Sequence, residues 1–373
     1  MARASIQIKP WNAVAIVSCL VMIGCGFDAR QPNQTDEWRW VSPNVAQGFG
    51  WLLGPEGEEA LVLRHPQTGE LAQTILKGDA PIPPGHEKDK VVRIDASRGV
   101  VTTSTTHVHL LKAVSGLEHW LGGNSIQYVR DSVALSMIAD GEAIDVSGDP
   151  VINAELLLPL NPGWVSSMPH QDIPAHWQVP VVTILEYLEP HPLGRAEWTR
   201  AFAWMTNSMA LGDSTFDALR ASYEAAICHE PRHFPMFTGS VADGVWHAPG
   251  KHSFVAQWIE DAGAQYMLEG GKEGANIEVG LERLLALADS AKAWVVVTYH
   301  PDDYTLADLI KEDPRHEQIA SITEAIWVCN TAKADYFGEL VVHPDWMVED
   351  MRALVEGART GPHGLIKRMT ETP

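Results

Sequence analysis

A chain of 373 residues with 45% hydrophobic content can bury two cores of ordinary size, and its lack of biased tracts means that most of it folds. Its formal charge of −21 excludes nucleic acid as a partner, because that role needs a basic footprint. Acidity is otherwise a solubility property and names no ligand.

The first 24 residues read as an export signal. Arg3 and Lys9 precede an apolar stretch, Ala13 to Ile23, too short to span a bilayer, and Gly24-Cys25 follows. This junction resembles a bacterial lipobox, with Met22 where Leu is usual. The resemblance implies lipidation of Cys25, which would become the mature N-terminus. Loss of Arg3 and Lys9 leaves 25 basic groups against 48 acidic ones. Residues 25–44 read as a lipidated tether, because Gly26 to Glu37 is polar and aperiodic. Of four cysteines, Cys228 and Cys329 stay in the folded part, so no disulfide framework or CxxC knuckle is expected there.

Between residues 45 and 90, apolar runs (VAQGFGWLL, ALVLRH, LAQTIL) alternate with Gly- and Pro-containing turns, which predicts a small β appendage. From Val91 strands alternate with helices, the pattern of a largely parallel, covered sheet. This first lobe is expected to run to residue 212. Two helices are expected next, Arg195 to Met209 and Ser214 to Cys228, with Gly212-Asp213 stopping one and capping the other. The second, within residues 213–231, is the linking helix. Alternation restarts at Phe234, so residues 232–373 form the second lobe and a surface tail after Arg359. The fold class is therefore α/β: two Rossmann-like lobes, one linking helix and an N-terminal β appendage.

Six ordered segments carry a family resemblance: VVTTSTTHVHLLKA, INAELLLPLNPGWV, LEYLEPHPLGRAEW, HAPGKHSFVAQWIEDAGAQYM, LERLLALADSAKAWVVV and VVHPDWMVEDM. Together, over residues 91–356, they resemble the Fe/B12 class of periplasmic solute-binding proteins of ABC importers, in the iron-siderophore and cobalamin branch. EPHPLGRAEW is the most specific, since secondary-structure chemistry does not force it. The resemblance implies a lipid-anchored monomer on the periplasmic or cell-surface side. It would deliver a ferric siderophore or cobalamin to a permease and ATPase complex, with no cofactor of its own. It also implies that Glu155 and Glu282, one per lobe, dock against permease arginines.

Ser104-Thr105-Thr106 follows a strand and opens a helix, so it can cap that helix while Thr106 and His107 sit on a ligand-facing rim. His107 and His109, two apart at a helix start, diverge too far for a shared zinc site. Scattered His107, His170 and His247 would be the ligands if the protein took up a bare metal ion. Asp335-Tyr336-Phe337 resembles the loop that borders the ligand in the vitamin B12-binding member. Aromatic groups with one polar group suit a flat macrocycle or catecholate. Trp246, Tyr128 and Asp149 are further ligand candidates at comparable strand ends. Glu186, Tyr187, Glu189 and His191 cluster where Pro190 and Pro192 hold the chain extended, which fits either a ligand contact or a rigid hinge. No arginine cluster stands in these pocket segments, which disfavours a highly anionic siderophore.

No GxSxG elbow, HExxH helix or CxxC pair occurs, and His300-Pro-Asp-Asp reads as a turn cap, so the expectation is a binder and not an enzyme. A sensor or adaptor lipoprotein holding the same ligand is the alternative within that class.

Overall fold

The computed structural model describes residues 37–149, 151–271 and 276–370. The expected signal peptide, Cys25 and the tether up to residue 36 lie outside the described residues. The described residues form one compact unit.

The appendage is a five-stranded sheet of Arg39–Val41, Phe49–Leu53, Glu59–Arg64, Leu71–Lys77 and Val91–Ile94, each paired with the next. All its pairings are antiparallel except the last. Residues 39–44, expected in the tether, belong to this body: Arg39–Val41 pairs with Trp51–Leu53. The sheet does not stand alone. Phe49, Trp51, Leu61, Leu63 and Ile75 share one core with the first lobe.

That lobe carries a five-stranded, all-parallel sheet in the order Val181–Thr183, Trp164–Ser167, Val100–Thr102, Trp120–Gly123, Ile144–Asp145. The second lobe orders Gln265–Tyr266, Pro235–Thr238, Ala293–Thr298, Ile326–Asn330 and Lys367–Arg368, the last antiparallel. Val100 to Thr102 and Ala293 to Val296 are buried without alternation, as a sheet covered on both faces requires.

Two helices join the lobes, Pro192–Met205 and Met209–Ala226. The first begins where the His191 ring accepts the Leu193 N–H and Pro192 occupies the first turn. It is buried along almost its whole length. The helices part at Thr206 to Ser208, where Asn207 takes a φ of 59°, and not at Gly212-Asp213. Gly212 lies inside the second helix, where a Cβ would overlap that of Ala203. Close helix packing, and not helix termination, explains that glycine.

Two further expectations change. Residues 360–370 are not a loose tail: Asp350 accepts the backbone N–H groups of His363, Leu365 and Ile366, and Lys367–Arg368 extends the sheet. A three-stranded antiparallel sheet, Ser240–Ala242, Val245–Pro249 and Asn276–Val279, also stands where no such sheet was expected. Among the described residues, no helix is long and apolar enough to cross a membrane.

Candidate functional site

Two adjoining cavities of about 510 and 500 Å³ open between the lobes and share Ser104 and Phe337. The first lobe contributes Thr103 to Thr106, from the carboxyl end of Val100–Thr102 and the start of the Thr105–Ala113 helix, where α/β sheets place ligands. Ser125, Tyr128 and Arg130 line the same side. The second lobe contributes Phe254, Tyr299, Thr331, Asp335, Tyr336 and Phe337. Tyr128, Tyr299 and Phe337 are 49%, 59% and 55% exposed, an unusual outlay of aromatic surface. Tyr128 and Tyr299 meet edge to face across the cleft, with ring centroids 5.8 Å apart.

The floor of the second cavity is charged. Glu186, from the turn Glu186–Leu188, and Arg195, from the Pro192–Met205 helix, both line it and both are buried. The nearest guanidinium nitrogen stands 4.0 Å from the Glu186 carboxylate, and the guanidinium lies 4.3 Å over the Phe254 ring. Arg195 Nε and both Glu186 oxygens are without a hydrogen-bond partner among the described residues. Burial lowers the Arg195 pKa, opposed chiefly by Glu186.

Behind this pair lies His107, fully buried, its Nδ1 3.0 Å from Ser166 Oγ and its Nε2 4.0 Å from Glu186. Burial holds its pKa below the ordinary value against the pull of Glu186. It is therefore a core residue and not a rim residue; the helix turns its side chain inward while Thr106 stays on the cavity.

The cleft edge carries an ion network across the lobes. His109 Nε2 is 3.1 Å from Asp335 and 3.8 Å from Glu339. Lys112 Nζ is 2.5 Å from Asp131 and 3.3 Å from Glu339. His109, Asp131 and Glu339 each bring one ligand atom within 4.8 Å of the others, a spacing that a cation could use. The Lys112 ammonium already serves the carboxylates there.

Other expected residues lie elsewhere. Trp246 is buried against Phe237, Trp294 and His316, and fills the second lobe's core. His247 is held on the Val245–Pro249 strand opposite Glu278. Asp149 is exposed and lines none of the cavities described here. His170 lines a separate cavity of about 620 Å³ with Lys90 and Arg93, between the appendage and the first lobe. His107, His170 and His247 thus do not converge, and the bare-metal reading loses its ligand set. Glu189 lines the cavity but spends its carboxylate on the N–H groups of Gln47, Gly48 and Trp198. Glu155 and Glu282 are exposed in the first turns of Ala154–Leu160 and Leu281–Ala288, one on each lobe.

Sequence reasoning missed Arg195, Phe254 and Tyr299. Arg195 stood within EPHPLGRAEW, a segment already singled out, but was read as part of an ordinary helix.

Two α/β lobes bridged by helix, with a cleft at the sheet ends, define the fold of the class III periplasmic binding proteins. Among solved structures, the chain resembles a periplasmic heme-binding protein of Pseudomonas aeruginosa, with a TM-score of 0.54 and 17% identity over 74% of this chain and 99% of that one. It likewise resembles a periplasmic heme-binding protein of Vibrio cholerae, with a TM-score of 0.54 and 12% identity over 69% and 98%. A third match is an ABC-type Fe3+-hydroxamate transport protein of Saccharomonospora viridis, with a TM-score of 0.51 and 16% identity over 70% and 93%. The likeness is one of fold. By sequence, the chain is 23% identical to an uncharacterized lipoprotein of Methanocaldococcus jannaschii over 71% of its own length and 66% of that relative's. No family model matches.

Proposed function

We propose that the chain is an exported, lipid-anchored solute-binding protein that captures a metal-containing small molecule, a ferric siderophore or a corrinoid, for an ABC importer. The observation that carries this reading is the aromatic cleft: Tyr128 from one lobe, and Tyr299 and Phe337 from the other, expose their rings around a shared cavity. Such surface is unfavourable in water and suits a large, flat or catecholate-bearing solute. The heme and Fe3+-hydroxamate proteins of like fold handle metal-bearing solutes by their names, which supports the same class here. The Cys25 junction and the lipoprotein relative support the anchor. Glu155 and Glu282 would face the permease, since paired carboxylates can position a partner by charge without a deep pocket.

The test is tryptophan quenching and thermal shift of the full chain in detergent, against cobalamin, dicyanocobinamide, hemin and several ferric siderophores. A saturable response from one class, lost in Tyr128→Ala and Phe337→Ala, is the expected result. Silence across the whole set would remove the reading.

A further inference from the structure

Arg195 and Glu186 are a charged pair that the protein itself leaves unfinished. Arg195 is 5% exposed and Glu186 is fully buried, yet their closest approach is 4.0 Å, beyond hydrogen-bond reach. Arg195 Nε and both Glu186 oxygens have no partner among the described residues. Buried charges persist when they are paired and hydrogen-bonded, so a group from outside must complete these. Both residues line the same cavity, with the guanidinium over the Phe254 ring and Tyr336 and Phe337 lining it as well. The incoming group therefore meets the guanidinium fork, with the acceptor pair of Glu186 beside it and sealed from solvent until the floor is engaged.

Charge then selects among groups. Arg195 and Glu186 cancel, so a carboxylate added to the floor would leave a net negative charge buried against Glu186. A neutral group that both accepts and donates completes the two residues and leaves no net charge.

We propose that Arg195 and Glu186 jointly recognise a carboxamide of the solute, its oxygen accepting from the guanidinium and its N–H donating to the carboxylate. This rests on the cleft being the solute site, and it narrows the solute to amide-bearing chemistry over carboxylate-bearing chemistry. A complex whose periphery carries amides fits; a porphyrin whose periphery carries propionates does not.

Three probes separate these cases on the full chain: dicyanocobinamide, whose corrin ring carries carboxamides; cobyrinic acid, the same ring with carboxylates; and hemin. The expected order is cobinamide tightest in the wild-type chain, with a loss of at least tenfold in Arg195→Gln. Glu186→Gln leaves the guanidinium charge uncancelled, so it should reverse the order and favour cobyrinic acid. Arg195→Lys serves where Arg195→Gln fails to fold; it keeps the charge but not the planar fork, and the same loss is expected. Wild-type binding of cobyrinic acid or hemin as tight as cobinamide would overturn the proposal, and so would a preference unchanged in all the variants. Either result leaves the solute-binding reading standing. Should ferric siderophores alone bind, preference for an amide-bearing one over a carboxylate-type one, with a tenfold loss in both Arg195→Gln and Glu186→Gln, supports the proposal; equal or tighter binding of the carboxylate type, or an unchanged affinity in the variants, overturns it. Silence with every probe overturns the solute site itself and this proposal with it.

Discussion

Glu197 Oε2 accepts the backbone N–H of Ala46 at 2.9 Å, and the same carboxylate accepts those of Asn44 and Val45. A fully buried glutamate on the lobe-joining helix thus holds the link between the appendage's first two strands. Eight residues earlier, Glu189 does the same for Gln47 and Gly48. Both glutamates come from EPHPLGRAEW, so two of that segment's polar residues have a structural account: they satisfy five consecutive backbone donors.

Removing the Glu197 carboxylate should therefore release the appendage before the lobes. Hydrogen bonds to a charged group are worth about 1.5–3 kcal/mol each, and they do not add fully within one network. Glu197→Ala should lower stability by roughly 3–5 kcal/mol on that scale. Hydrogen exchange should show early loss of protection at Phe49–Leu53 and Glu59–Arg64. Unchanged protection there would contradict the anchoring role.

Gly212 yields a second prediction. A methyl group at that position would run into Ala203, so Gly212→Ala should destabilise by about 1–3 kcal/mol despite alanine's better helix propensity. Adding Ala203→Gly removes the opposing methyl. The double variant should recover part of that loss in chemical denaturation, and a purely additive result would show that the two positions do not press on each other.

The docking role can be separated from solute capture. Glu155→Lys and Glu282→Lys alter exposed first-turn residues away from the cleft, so solute affinity should stay unchanged while uptake by cells carrying the importer falls. Loss of solute affinity in the double variant would remove the docking assignment.

Much of this architecture was legible in the sequence, because apolar runs and caps are local signals. Trp294 to Thr298 reads as a strand, and Asp131 and Asn153 read as helix starts, as their side-chain bonds to Ala134 and Glu155 N–H bear out. The site was less legible because it depends on direction. Thr106 and His107 are adjacent in one helix, yet one lines the cavity and the other is sealed behind it. Trp246 at a strand end looked like a binding aromatic, whereas its strand's pairing turns it into the core. Arg195 was hidden by an ordinary expectation, that a charge in a helix faces water; here the helix is buried all round and the charge reaches the cleft instead.

The inter-lobe ion network gives the last prediction, on pH. Burial opposes protonation of His109, but Asp335, the Thr105 carbonyl and Glu339 together outweigh it and hold the His109 pKa above its ordinary value. A group whose folded pKa is raised contributes stability that is complete below its unfolded pKa, about 6.5 for histidine, and is lost as pH rises through the folded value. The His109 to Asp335 link between the lobes is therefore strongest in mild acid and weakens in alkali. Lys112 stays charged throughout and keeps Asp131 and Glu339 engaged, so the lobes should loosen without separating. Burial also pushes Glu189 up to about 7, with the same sign, so the slope of the wild-type chain alone does not isolate His109. The stability difference between wild type and His109→Gln does: measured by denaturation from pH 5.5 to 9, it should be largest at the acid end and shrink as pH rises. A difference that stays constant would mean that the imidazole acts by packing alone; one that grows would reverse the sign and rule out a protonated His109 as the link.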